Sequence, residues 1–269
     1  MARHYDELDR FYRRLWGEHL HHGLFDSLDD DPQAAASRLV ELVADLGGVS
    51  PGMKVCDVGC GYGATGRILA GRYGARVTGI TLSRAQLDEG RKKVPPGMAL
   101  ELVQGDWLAG GFEPEAFDVV VAIESLAHMT DKSAFFAQAA RTLRPGGRLV
   151  VCAWACQDES GRLARRFLLE PICREGALPG LPSEADCRRW LAAHGLELLT
   201  AQDLSRRVSP TWIVSSRRLI RAVFRDPELR SALLDRTLTN RSFALSVLRI
   251  RLAYRVRAMR YLVLAARKP

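Results

Sequence analysis

The sequence predicts an α/β fold, a seven-stranded and mostly parallel sheet with helices on both faces, and three observations carry that reading. Short apolar runs bounded by turn residues alternate with amphipathic stretches of helical length. The 269-residue chain is 47% hydrophobic, which suits one large domain or one domain with a sizeable insertion. Residues 53–69, MKVCDVGCGYGATGRIL, run a hydrophobic strand straight into a glycine turn and a helix, an arrangement used to hold nucleotide cofactors.

Taken in order, residues 1–48 read as an N-terminal helical lid, too charged at MARHYDELDRFYRRLWGEH for the apolar stretch of a signal peptide. Strands are predicted at 54–58, 76–80, 99–104, 117–123, 148–153, 197–203 and 261–266. Helices begin near Ala64, Ser83, Lys132 and Ser183, and the two serines suit N-caps. The core spans 49–210. Residues 211–257 are too long for a hairpin loop and read as a cap of two or three helices before a last strand within 258–269. No run reaches the ~18 apolar residues of a membrane span, so a cytoplasmic protein is expected.

The net charge of +8 comes from 39 Lys and Arg against 31 Asp and Glu, with the excess after Arg141. Arg206, Arg207, Arg217, Arg218, Arg221, Arg225 and Arg230 are interrupted by acids and apolar residues and lack interleaved aromatics for base stacking, so a solvated helix face is the first reading. An anionic substrate group or weak membrane-surface contact is the second, and no nucleic acid is expected. The six cysteines include two pairs at C-x-x-x-C spacing, which is no zinc or thioredoxin motif, and are expected to be reduced and mostly buried.

Asp57 closes the first strand, and Gly59, Gly61 and Gly63 follow at alternate positions, with Cys60 between. Glycine lets the backbone turn sharply and approach a ligand with no Cβ in the way. The dinucleotide fingerprint places its acid after a differently spaced triplet; here the acid comes first. This order resembles motif I of the class I S-adenosylmethionine-dependent methyltransferases, whose fold is Rossmann-like and whose loop holds the amino-acid portion of the cofactor. Leu143-Arg144-Pro145-Gly146-Gly147 resembles their L-x-P-G-G element.

Many such enzymes end the second strand with an acid for the ribose; this chain has Thr81. Residues 79–86, GITLSRAQ, resemble the G-[IL]-T-L-S-x-x-Q element of the cyclopropane synthase, sterol and tocopherol methyltransferase branches, which implies cofactor contacts from Thr81, Leu82 and Gln86. An amide can both donate to and accept from a diol; the plainer reading is a capped helix start at Ser83 with Gln86 exposed. Gly105-Asp106-Trp107 follows the third strand, where Asp106 suits the adenine amine and Trp107 a ring face, unless they only cap a turn and pack.

Residues 5–26 resemble the lid of γ-tocopherol methyltransferase-like enzymes, with W-G-x-H-x-H-H-G at Trp16, Gly17, His19, His21, His22 and Gly23. Residues 124–132 resemble their E-S-x-E-H-M-x-D-K, with Ala127 where Glu is common. The resemblance implies a small-molecule methyl acceptor and no metal. The histidine spacing also fits no metal-binding helical pair. Acceptor contacts are expected from Trp16, His19, His21, His22, Trp154 and Trp212. For a phenol or acidic carbon, His128 is the preferred general base and Glu124 its rival, Glu124 also lying near the cofactor's amino-acid end by the resemblance. Carbon methylation of an aromatic or isoprenoid-like acceptor is placed ahead of nitrogen or oxygen; the alternative is a basic RNA- or protein-modifying enzyme or binding module. No oligomeric state can be read from the chain.

Overall fold

The computed structural model describes residues 19–225 and 240–269. Its sheet runs β3-β2-β1-β4-β5-β7-β6, with β1 Lys54–Val58, β2 Arg76–Thr81, β3 Leu100–Gln104, β4 Phe117–Ile123, β5 Leu143–Cys156, β6 Glu197–Asp203 and β7 Met259–Arg267. Strands β1 to β5 pair in parallel; β7 is antiparallel to both β5 and β6. The period-2 alternation of a strand sends successive side chains to opposite layers. Val55, Val119 and Val121 join the core on one side, and Cys56, Val120 and Ala122 that on the other.

The first layer is covered by α1 Pro32–Gly47, α2 Ala64–Tyr73 and α3 Arg84–Lys92, through Leu39, Val43, Leu69 and Leu87. Residues 32–47, grouped with the lid in the sequence, are therefore a sheet-packing helix. It opens on an Asp31 N-cap with Pro32 in its first turn and ends on Gly48 at φ 61°. The second layer is covered by α4 Lys132–Thr142 and, beyond the cap described next, α6 Glu184–Ala193, through Phe135, Phe136 and Leu191. Ser83 and Ser183 cap their helices as expected, Ser183 in a capping box with Asp186.

Strand β5 begins at Leu143 rather than 148, because the Pro145-Gly146-Gly147 turn is a register shift inside the β4–β5 pairing and not a loop before it. A helical run at 162–175, with a π turn over Arg165–Leu169, has no counterpart in the sequence reading; we number it α5. It packs on α9 Asn240–Arg255. A short turn α7 Ser205–Val208 leads into α8 Pro210–Arg225. The cap over the carboxyl ends of the strands thus combines α5 with α8 and α9. Glu175 of α5 accepts from Ser246 and pairs with Arg249 of α9. No described helix is long and apolar enough to cross a membrane.

Candidate active site

A cavity of about 490 Å³ lies beyond the carboxyl ends of β1, β2 and β4. Strands β1 and β4 flank the point where strand order reverses, which is where open α/β sheets leave a crevice for ligands.

One half of the cavity is the glycine loop. Gly59 and Cys60 both donate to Ile80 O, at 2.9 and 3.0 Å, which ties the loop to the tip of β2. Gly61, at φ 55°, has only Leu20 Cδ1 near the position of an added Cβ, at 3.8 Å, so a side chain there would stand in the cavity. A Cβ at Gly63 would press on Leu102 at 3.0 Å, so the absence of a side chain there serves the packing of α2 against the sheet. Asp57 is 2% exposed, and its Oδ2 has no hydrogen-bond partner among the described residues. Burial pushes its carboxyl up to about 7. A buried, unsatisfied carboxylate oxygen beside a backbone cradle calls for a donor from a ligand, and the amino-acid end of S-adenosylmethionine carries one.

Thr81 and Gln86 are buried, not exposed. Thr81 Oγ1 donates to Gln86 Oε1 at 3.0 Å, which orients the amide beside the cavity. Ser83 caps α3 by accepting from Gln86 N, so the capping and cavity-lining readings both hold. Leu82, Gly105, Asp106 and Trp107 also line this half. Asp106 Oδ1 accepts from Leu108 N at 2.9 Å, and the Trp107 indole donates to Phe135 O at 3.3 Å, fixing both residues from outside the cavity.

The other half is built around Glu124, a non-glycine residue at φ 62° just after β4. Oε1 accepts from His22 N, His22 Nδ1 and Tyr261 Oη, and Oε2 accepts from Trp154 Nε1, all between 2.7 and 2.9 Å. Burial alone would raise this carboxyl, but the hydrogen bonds that His22 donates from its backbone and ring act the other way and lower it, favouring the carboxylate. Both oxygens of Glu124 are thus taken up by four donors.

Trp212 Nε1 can only donate, so His22 Nε2 accepts from it at 2.7 Å and the ring proton sits on Nδ1, toward Glu124. Both His22 nitrogens are spent, so the ring, 1% exposed on its side chain, serves as a strap while its surface still lines the cavity. His21 Nδ1 donates to His22 O at 2.8 Å, leaving His21 Nε2 to accept from His19 Nδ1 at 3.0 Å. Burial lowers the His21 pKa and favours this neutral form. His19, His21, His128, Trp154 and Trp212 all line the cavity, as does Ala127, which stands where a carboxylate is common in related enzymes. Trp16 lies outside the described residues.

The sequence reading missed Tyr261, whose signal is a lone phenol in the aliphatic run of β7. It also missed Ile172, Glu175, Ser246 and Ile250, which bring the cap to the cavity; no spacing in α5 or α9 marks them.

The mycolic acid cyclopropane synthetase family model matches residues 1–222. The 2-methyl-6-phytyl-1,4-hydroquinone methyltransferase of Synechocystis sp. is 35% identical over 230 residues, covering 79% of this chain and 71% of its own. The 27-O-demethylrifamycin SV methyltransferase of Amycolatopsis mediterranei is 29% identical over 268 residues, 98% of this chain and 95% of its own. The chain spans about two thirds of the length of the plant tocopherol methyltransferases that it matches. Among solved structures, mycolic acid cyclopropane synthase CmaA1 complexed with SAH and CTAB aligns with a TM-score of 0.87 at 22% identity, over 99% of this chain and 96% of that one. The chain belongs to the mycolic acid cyclopropane synthetase family, a branch of the class I S-adenosylmethionine-dependent methyltransferases that act on small molecules.

Proposed function

We propose that this methyltransferase acts on a partly apolar metabolite with a hydroxylated aromatic or isoprenoid-like frame, methylating carbon ahead of oxygen and nitrogen. The observation that carries the reading is the composition of the cap half of the cavity: Ile172, Leu178, Val247 and Ile250 face Trp154 and Trp212, with His19, His21 and His128 as its titratable rings. Apolar walls with a few convergent polar groups suit such an acceptor.

A cationic amine would want a carboxylate partner. Among the described residues around the cap half of the cavity, Glu124 already takes four donors, Glu175 is paired with Arg249, and Ala127 offers none. That ranks nitrogen last. The relatives named above support a large, partly apolar acceptor, one a phytyl hydroquinone and the other a rifamycin.

S-adenosylmethionine supplies an electrophilic methyl group on a sulfonium, which needs no metal to be displaced. The chain's task is to align the acceptor, keep water out and take a proton when the nucleophile starts protonated. Asp57 and the backbone at Gly59, Cys60 and Gly61 would hold the amino-acid end of the cofactor, Thr81 and Gln86 its ribose, and Leu82, Gly105, Asp106 and Trp107 its adenine. His128 takes the acceptor proton; it sits in the 3₁₀ turn Leu126–His128 after β4, on the cavity. His22 and Glu124 hold the lid and the two indoles in place.

Trideuteromethyl-labelled cofactor with a panel of hydroquinones, phenols, isoprenoids and amines tests the reading, with NMR locating the label. Label on a carbon or oxygen of a hydroxylated, apolar acceptor supports it, and turnover of amines alone sinks it.

A further inference from the structure

The outer face of the cap has a composition that methyl transfer does not use. On α5, Leu163 is 74% exposed and Phe167 60%; on α9 and the turn that follows it, Leu248, Leu252 and Val256 are 59%, 47% and 53% exposed. Their spacing of four residues puts each set on one stripe of its helix. Scattered surface apolar residues are ordinary, but here two such stripes lie on helices that pack against each other.

The polar residues of the same faces are nearly all of one sign. Arg162, Arg165 and Arg166 flank Leu163 and Phe167, with the Arg166 guanidinium 5.6 Å from the Phe167 ring centroid. Exposed Arg251 and Arg255 sit between Leu248, Leu252 and Val256. Against these five cations the exposed stretch of α5 has one acid, Glu170, and residues 246–257 have none. Among the described residues of these two helices, the other acid, Glu175, points inward to Ser246 and Arg249.

We propose that this face docks on an anionic lipid bilayer. Apolar residues that enter the headgroup boundary, with arginines at their flanks, are what an interfacial helix presents to acidic lipid. A water-exposed contact with an acidic protein would satisfy the arginines but leave five apolar side chains needing a matched surface; a bilayer accepts both. The opposite faces of the same helices supply Ile172, Val247 and Ile250 to the cavity, so docking sets the acceptor half of the site one helix thickness from the lipid. This goes beyond the acceptor assignment, and its test needs no acceptor.

The experiment is vesicle co-sedimentation of the full chain at about 0.1 M salt, where exposed charges still act over about 10 Å. Binding to an equal mixture of phosphatidylglycerol and phosphatidylcholine should exceed binding to phosphatidylcholine alone by about tenfold or more. Leu163→Ser with Phe167→Ser should lower that binding by a similar factor while the melting temperature and cofactor affinity hold. Arg251→Glu with Arg255→Glu gives an independent variant and should abolish the preference for anionic lipid. Equal binding to both vesicle types, no binding to either, or undiminished binding by the folded variants would overturn the proposal. So would a dimer in sedimentation equilibrium that Leu163→Ser with Phe167→Ser dissociates, because a second copy of the chain would then cover the stripe.

Discussion

Glu124 Oε1 accepts both the backbone N–H of His22, at 2.7 Å, and its Nδ1–H, at 2.9 Å, so one carboxylate oxygen fastens the lid to the tip of β4 across 102 residues of sequence. The same residue anchors Tyr261 and Trp154, and through His22 it also anchors Trp212. Removing it strands four donors in a buried site.

Glu124→Ala should therefore lower stability by about 3–5 kcal/mol, the usual cost of leaving buried charged or polar partners unmet. Hydrogen exchange at residues 19–25 should rise, and acceptor KM should rise more than kcat falls. A folded variant that keeps its lid protection and loses only kcat would instead point to Glu124 as the proton acceptor.

Asp57 gives a pH dependence with a definite sign. Its carboxyl is raised from 3.8 to about 7 by burial, so the folded state holds the proton more tightly than the unfolded one. That contribution to stability is full below about pH 4 and is lost as pH rises through about 7. Without cofactor, Asp57→Asn should gain stability relative to the parent protein between these limits. Cofactor affinity of the parent should rise over the same window as the carboxylate forms, and Asp57→Asn should lose that trend. Matching pH profiles for the two proteins would refute the role of Asp57.

Gly61→Ala tests the loop. The left-handed φ of 55° costs a side chain about 1–2 kcal/mol, while its Cβ would enter the cavity and not the core. A modest fall in melting temperature should accompany at least about a tenfold loss of cofactor affinity. Unchanged affinity in the folded variant would remove the loop from the cofactor site.

Much of this was legible in the chain because local rules and global fold agree there. The run KVCDVGCG contains its own strand, turn and ligand-facing acid, so β1 and the loop are found by reading alone. At Gly63 the alternate-glycine pattern does not say whether a Cβ would meet protein or ligand; the packing of Leu102 decides that it would meet protein. His22 could not be separated from His19 and His21, because what makes it a strap is its pairing with Glu124 and Trp212, 102 and 190 residues away. Helix α5 was missed because Leu163 and Phe167 place apolar side chains among the arginines of its outward face, which blurs the amphipathic period.

The base assignment remains the core of the chemistry, and the pH profile of kcat/KM for His128→Ala tests it most directly. Histidine is the side chain suited to titrating between pH 5 and 8, so a histidine base gives the parent enzyme an acidic limb. The account predicts that His128→Ala loses this limb and about 10²–10⁴-fold in kcat, with cofactor affinity unchanged. Retention of both the limb and the rate in the folded variant would contradict it and turn attention to the His19–His21 pair.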